Sequence, residues 1–314
     1  MSSDPPAAGA PADDGAGPAA AIRAGDAAVP APGAPDAAGL RDPADADAAA
    51  ADGRDGGGAL PGGLARRDFI AGVGKGFAIL EAFDAAETAR MTMAEVAQRT
   101  GLTRAAARRY LLTLAELGYL HYDGRMFALT PKVLRLGQSY IHSARLPRIV
   151  HPQLHRIAST LQEACSVGVL DGGDIICVAA VTAGRVVSVT LQPGTRVPAH
   201  CTANGRVLLA GLPPAALDGW LAAREFAPFT PHTVTARDRL RAEIVQARTQ
   251  GYALVDQELE PGLRAIGVPL RNLRGETVAA MNVNVHAARM SLEEVRSQCL
   301  PLLWQAQAQV RNLL

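Results

Sequence analysis

Cysteine is scarce in this chain and poorly spaced for its structural uses. Cys165, Cys177, Cys201 and Cys299 have neither the close pairing of zinc ligands nor the density of a secreted disulfide scaffold. Reduced thiols in a cytoplasmic protein are the expectation. The sequence also shows no basic leader followed by an uninterrupted apolar stretch, and nothing approaches the roughly 18 apolar residues that a bilayer span requires. Neither export nor a membrane partner is expected. Phosphate-binding loops, nucleophile elbows and metal-ligand motifs are missing as well, so the reading includes no cofactor, no metal and no catalytic set.

A further shortage is local. From Met1 to about Leu64 there is hardly an aromatic or β-branched side chain, only Ala, Gly, Pro and Asp in quantity. Such a composition cannot bury enough apolar area to offset the entropy of ordering, so residues 1–65 are expected to form a disordered tail. Its net charge is −7, from 10 Asp against 3 Arg.

What remains is rich enough for two domains: the chain has 314 residues, 48% of them hydrophobic. Its overall charge of +1 conceals a basic segment, because residues 66–148 hold 13 Lys/Arg against 7 Asp/Glu. A concentrated positive segment suits a polyanionic partner.

Helical spacing begins with Phe77, Leu80 and Phe83, and predicts a first helix near 74–84. Thr92-Met-Ala-Glu95 has the form of a capping box and opens a second short helix. Thr100-Gly101-Leu102 makes a turn, after which Thr103 caps a third helix with Ala107, Tyr110, Leu111, Leu114 and Leu117 along one face. Gly118 is suited to end it. The segment YLHYDGRMFALT then predicts a hairpin with Asp123-Gly124 as its two-residue turn. Thr130-Pro131 starts a helix through KVLRLGQSYIHSA that links this region to the next.

The third helix leaves Arg104, Ala105, Ala106, Arg108 and Arg109 off its apolar stripe. Arginine can bond bidentately to guanine or clamp phosphates, while alanine lets a helix approach base edges closely. Thr103 at the helix start can bond a phosphate. Exposed arginines on a lone helix are ordinarily just solvated; here a capped helix, a tight turn and a hairpin wing surround them. Thr103, Arg104, Ala105, Arg108 and Arg109, with Arg125 at the hairpin tip, are therefore the expected contacts to double-stranded operator DNA. Lys75 on the first helix is a further candidate for the backbone.

From about Leu146 the pattern becomes mixed. A helix near 148–163 precedes strands at CSVGVLDG and DIICVAAV joined by a Gly-Gly turn, and a strand at RVVSVTLQPG. Helices follow at about 203–210, 214–223 and 236–251, then strands at GYALVDQE, LRAIGVPLRN and TVAAMNVNV. A second capping box, Ser291-Leu-Glu-Glu294, opens the closing helix. Hairpin-linked strands with helices between them predict an α+β fold with an antiparallel sheet.

The run GKGFAILEAF, continued in MTMAEVAQRTGLTRAAARRYLLTLAELGYL, resembles the N-terminal domain of IclR-family transcriptional regulators, and the resemblance extends over about residues 70–314. PAHCTANGRVLLA and GYALVDQELEPGLRAIGVPLRN look most like the branch that regulates β-ketoadipate-pathway genes. The resemblance implies a winged helix-turn-helix domain over 66–130, a linker helix over 131–146, and a GAF-like domain over 147–314 for effector binding and oligomerisation. It also implies a homodimer or homotetramer controlling aromatic-acid catabolic genes. Carried over residue by residue, the effector pocket falls on Ala203, Asn204, Asp256, Ala265, Asn282 and Asn284. Members that bind small keto acids tend to have Ser or Cys where this chain has Ala265, Asn282 and Asn284, so their ligand does not carry over; an aromatic or dicarboxylic acid is the expected effector.

Two rival readings attach to the same region. His200, Cys201, Asp256 and Glu258 are residue types of nucleophilic or acid/base chemistry, which would demand that they converge; otherwise His200 and Cys201 are pocket wall or core. The other rival is a second domain that only oligomerises. Arg206, within a helix, is expected to face solvent, with a charge beside the effector carboxylate as the alternative; Glu258 is a candidate partner for Arg264.

Overall fold

The computed structural model describes residues 69–84, 89–182 and 191–314. The tail expected over 1–65 and most of the strand expected at 185–194 lie outside the described residues.

Three helices and a small sheet come first. Helix α1, Ala71–Glu81, begins three residues before the predicted start. It buries Ile79, with Phe83 just beyond its end, and leaves Phe77 half exposed. Strand β1, Met91–Thr92, leads into α2, Met93–Thr100, and the Thr92 capping box forms as expected: Glu95 N donates to the Thr92 hydroxyl and Thr92 N donates to the Glu95 carboxylate. Gly101 ends that helix at φ 66°, a left-handed value that costs glycine no Cβ clash. Helix α3, Arg104–Glu116, carries Thr103 as its cap and buries Ala107, Leu111 and Leu114; Leu117, expected on that face, is exposed.

Strands β2, Leu120–Tyr122, and β3, Met126–Leu129, form the hairpin, and β1 adds to its other edge in the order β1-β3-β2. The turn is displaced by one residue from the prediction. Asp123 N donates to Met126 O at 3.2 Å, so Gly124 and Arg125 are the central pair, with Gly124 at φ 95°. Asp123 instead accepts from Arg125 N and Met126 N through its carboxylate, the local bond that aspartate makes well in turns.

The linker begins as one 3-10 turn, Pro131–Val133, and becomes α4, Leu134–Ser143, in which no residue is buried. Only Ala144 separates it from α5, Arg145–Leu161, which contains Pro152.

The second sheet has six strands: β4 Ala164–Asp171, β5 Asp174–Val181, β6 Arg196–Pro198, β7 Ala253–Asp256, β8 Leu263–Arg271 and β9 Thr277–His286. Every pairing is antiparallel, in the order β6-β5-β4-β9-β8-β7. This is the expected α+β antiparallel class; the short edge strand β6 was not anticipated. Helices α6 Ala203–Ala210, α7 Pro214–Ala222 and α8 Arg237–Gln250 intervene between β6 and β7. After β9, Leu292–Glu294 opens the closing helix on the Ser291 capping box, and a π-helical turn at Val295–Cys299 leads into α9, Leu300–Val310.

Period-two alternation assigns the faces of the central strands. Met281, Val283 and Val285 of β9 join Val167, Ile266 and Val268 under Leu154 and Ile157 of α5 and Leu303 of α9. Each fully buried aliphatic side chain there contributes roughly 1.5 to 3 kcal/mol. Ala280, Asn282 and Asn284 take the opposite face, toward α6.

Candidate functional site

On the exposed side of α3, Thr103, Arg104, Ala105, Arg108 and Arg109 are all solvent-accessible, as is Arg125 at the hairpin tip. Thr103 Oγ1 accepts from Ala106 N at 3.2 Å, which leaves its hydroxyl proton available to another acceptor. Helix, cap and wing arise from local signals: the cap residue, a stripe at helical spacing and a glycine turn. Lys75 departs from the expectation, being buried at 3% exposure in a helix face that packs inward, so it is not placed to meet a phosphate.

The other site is a cavity, partly open to solvent, between the α6 face of the second sheet and the loop leading into β8. The alternation that buries the β9 valines brings Asn282 and Asn284 to this cavity, and register places Ser166 opposite Asn282 and Ala265 opposite Asn284. Helix α6 contributes Ala203 and Asn204 from its first turn; Val255, Leu259, Cys177 and Cys201 supply apolar wall. The approach is close, because a side chain on Gly205 would overlap the backbone of Ala199. Five of the six expected effector residues therefore converge.

Asp256 does not. One residue beyond Val255, it takes the opposite face of β7, where its carboxylate accepts from Arg264 Nε at 2.7 Å. Arg206 also departs from its expected place. Instead of facing solvent or the cavity it is buried, paired with Glu243 and, at 2.6 Å, with Glu258. Glu258 is thus the partner of Arg206 and not of Arg264. Burial raises the Glu258 carboxyl above its ordinary range while the neighbouring Arg206 pulls the other way.

The residues of the enzymatic alternative are spread apart in their bonding. His200 Nε2 lies 3.1 Å from the Ala227 carbonyl, its ring among Phe226 and Phe229. Burial pushes the Cys201 thiol up to about 12, and its sulfur points to the Pro198 carbonyl. Among the described residues no hydrogen bond joins this imidazole to this thiol. Ser166 is a polar cavity residue that sequence reasoning passed over. The signal was present, since Ser166 falls between Cys165 and Val167 and so on the other face of its strand, but its opposition to Asn282 depends on a pairing across more than 100 residues.

Comparison with known proteins gives this arrangement its family. Residues 72–124 match the IclR helix-turn-helix domain, and residues 138–312 match the C-terminal domain of the bacterial transcriptional regulator IclR. The chain belongs to the IclR family of transcriptional regulators. Within the IclR family it is 40% identical over 237 residues to the Pca regulon regulatory protein of Pseudomonas putida, covering 75% of this chain and 81% of that one. A solved transcriptional regulator from Rhodococcus sp. RHA1 is 44% identical, with TM-score 0.65, over 77% of this chain and 97% of that one. The inducer-binding domain of the Acinetobacter PobR transcription factor, solved as a double mutant in complex with 3-hydroxybenzoic acid, is 30% identical, with TM-score 0.51, over 54% of this chain and 98% of that one. As an IclR-family regulator, the chain combines a DNA-binding helix-turn-helix with an effector-type α+β sheet. Among the described residues no helix is long and apolar enough to cross a membrane.

Proposed function

We propose that this IclR-family protein is a cytoplasmic regulator of aromatic-acid catabolic genes that binds an organic acid in the cavity over β4, β8 and β9. The observation that carries this reading is the convergence of Ser166, Asn204, Asn282 and Asn284 in one largely apolar cavity. It combines a few placed polar groups with an apolar wall, as small-molecule sites do. The PobR inducer-binding domain, solved with 3-hydroxybenzoic acid, supports the same ligand class.

In this reading residues 66–130 bind operator DNA through Thr103, Arg104, Ala105, Arg108, Arg109 and Arg125, residues 131–146 link, and residues 147–314 sense and oligomerise. The protein acts as a homodimer or homotetramer, because one recognition helix reads only a short half-site. The exposed Ile70, Val73 and Phe77, spaced for one face of α1, supply apolar surface for such pairing. Ligand binding alters operator affinity by as much as the ligand prefers one arrangement of the assembly over another.

A thermal-shift screen of 4-hydroxybenzoate, protocatechuate and β-ketoadipate tests the cavity. At least one should raise Tm in the wild type and in Asp256→Ala, and lose the effect in Asn282→Ala. Silence of every compound, or an undiminished shift in Asn282→Ala, would overturn the assignment.

A further inference from the structure

The polar wall of the cavity has a direction. Ser166 Oγ lies 2.6 Å from Asn282 Oδ1, inside the usual range for O–H···O and shorter than is usual for N–H···O. The hydroxyl therefore donates, and Asn282 turns its oxygen toward Ser166. With that end determined, Asn282 Nδ2 points the other way and donates to Asn284 Oδ1 at 2.9 Å. Asn204 donates through Nδ2 to the same Asn282 oxygen at 3.2 Å, which leaves its own Oδ1 on the far side. Asn204 is 4% exposed, and that oxygen accepts no hydrogen bond among the described residues. A buried acceptor without a donor is costly, and this one belongs to a residue lining the cavity.

We propose that the ligand of this cavity donates a hydrogen bond from a hydroxyl group to Asn204 Oδ1, and that Ser166 is the positioning residue that presents this oxygen. The proposal rests on the cavity being the effector site, and it narrows the ligand from organic acids in general to hydroxylated ones. A keto dicarboxylate offers only acceptors at neutral pH and leaves Asn204 unsatisfied. Ser166 acts through the amides. Without its hydroxyl, nothing ties the chain of amides to one direction: Asn282, Asn284 and Asn204 can turn over together, so that Asn284 Nδ2 donates to Asn282 Oδ1, Asn282 Nδ2 donates to Asn204 Oδ1, and Asn204 offers Nδ2, a donor, to the cavity. Loss of one buried hydroxyl reverses what the pocket asks of its ligand.

Calorimetric titration of the full chain with 3- and 4-hydroxybenzoate, each beside its fluorobenzoate counterpart, tests this, because fluorine occupies similar space and cannot donate. At least one hydroxy compound should bind the wild type about tenfold or more tightly than its fluoro partner. Ser166→Ala should shrink that ratio to below about threefold, and Ser166→Thr, which keeps the hydroxyl, should restore it. A loss of fold alone weakens both members of a pair alike and leaves the ratio in place. Equal binding within each pair by the wild type would overturn the hydroxyl requirement while leaving the effector site standing. An unchanged ratio in Ser166→Ala would overturn the role of Ser166. If neither benzoates nor β-ketoadipate bind, the effector site falls and this inference falls with it.

Discussion

Arg206 donates from Nη2 to Oε2 of Glu258 at 2.6 Å, with both side chains at least nine-tenths buried. The same carboxylate accepts from Val234 N, and the Glu258 carbonyl accepts from the Thr233 hydroxyl, so one ion pair ties α6 to two loops. Leu259, next in sequence, lines the cavity. Removing one partner of a buried pair leaves the other charge uncompensated, a loss of about 3 to 5 kcal/mol. Glu258→Ala should lower Tm accordingly in thermal unfolding, and adding Arg206→Met should recover part of the loss. A single variant as stable as the wild type would show that the pair does not hold this corner together.

The arginines of α3 predict a different kind of loss. Arg104→Ala or Arg108→Ala should cost about 1 to 3 kcal/mol of operator affinity where the side chain reads a base, with unchanged Tm, since both are exposed. Fluorescence anisotropy against operator and random duplexes at several salt concentrations separates the cases. Equal weakening on both duplexes with a shallower salt slope assigns the residue to phosphate.

His200 makes stability depend on pH. Burial lowers its pKa below the usual value, with Arg206 adding to the effect and the Ala227 carbonyl and Asp174 opposing it. On acidification the unfolded chain therefore takes up this proton first. Stability from this group is present above about pH 6.5 and is lost as pH falls through the lower folded value. A plot of Tm against pH should decline below that point more steeply for the wild type than for His200→Gln. Parallel curves would remove His200 as the source.

Gly205 is required by close approach rather than by φ. A Cβ there would overlap the carbonyl of Ala199, which is backbone and cannot swing aside. Gly205→Ala should cost about 1 to 3 kcal/mol by urea unfolding. It should also weaken ligand binding, because the first turn of α6 moves with it. Wild-type stability would mean that α6 has slack the packing does not suggest.

Much of this protein was legible along the chain. Thr103, the stripe from Ala107 to Leu114, the capping boxes at Thr92 and Ser291 and the alternation in β9 are all set by residues within a few positions of one another. The backbone's own hydrogen-bonding needs and the two helical and strand periods dictate them. The arginine-bearing helix α3 and the paired placement of Asn282 and Asn284 needed no tertiary information for that reason. Tertiary structure decided the rest. Asp256 left the cavity because register opposed Val255 to Ala265 and sent its neighbour to the other face. Arg206 went inward because Glu243 and Glu258, 37 and 52 residues away, arrive there together. Ser166 gained its role only by facing Asn282 across a strand pair. Which partner a polar side chain meets depends on contacts between distant segments, and no local period carries that information.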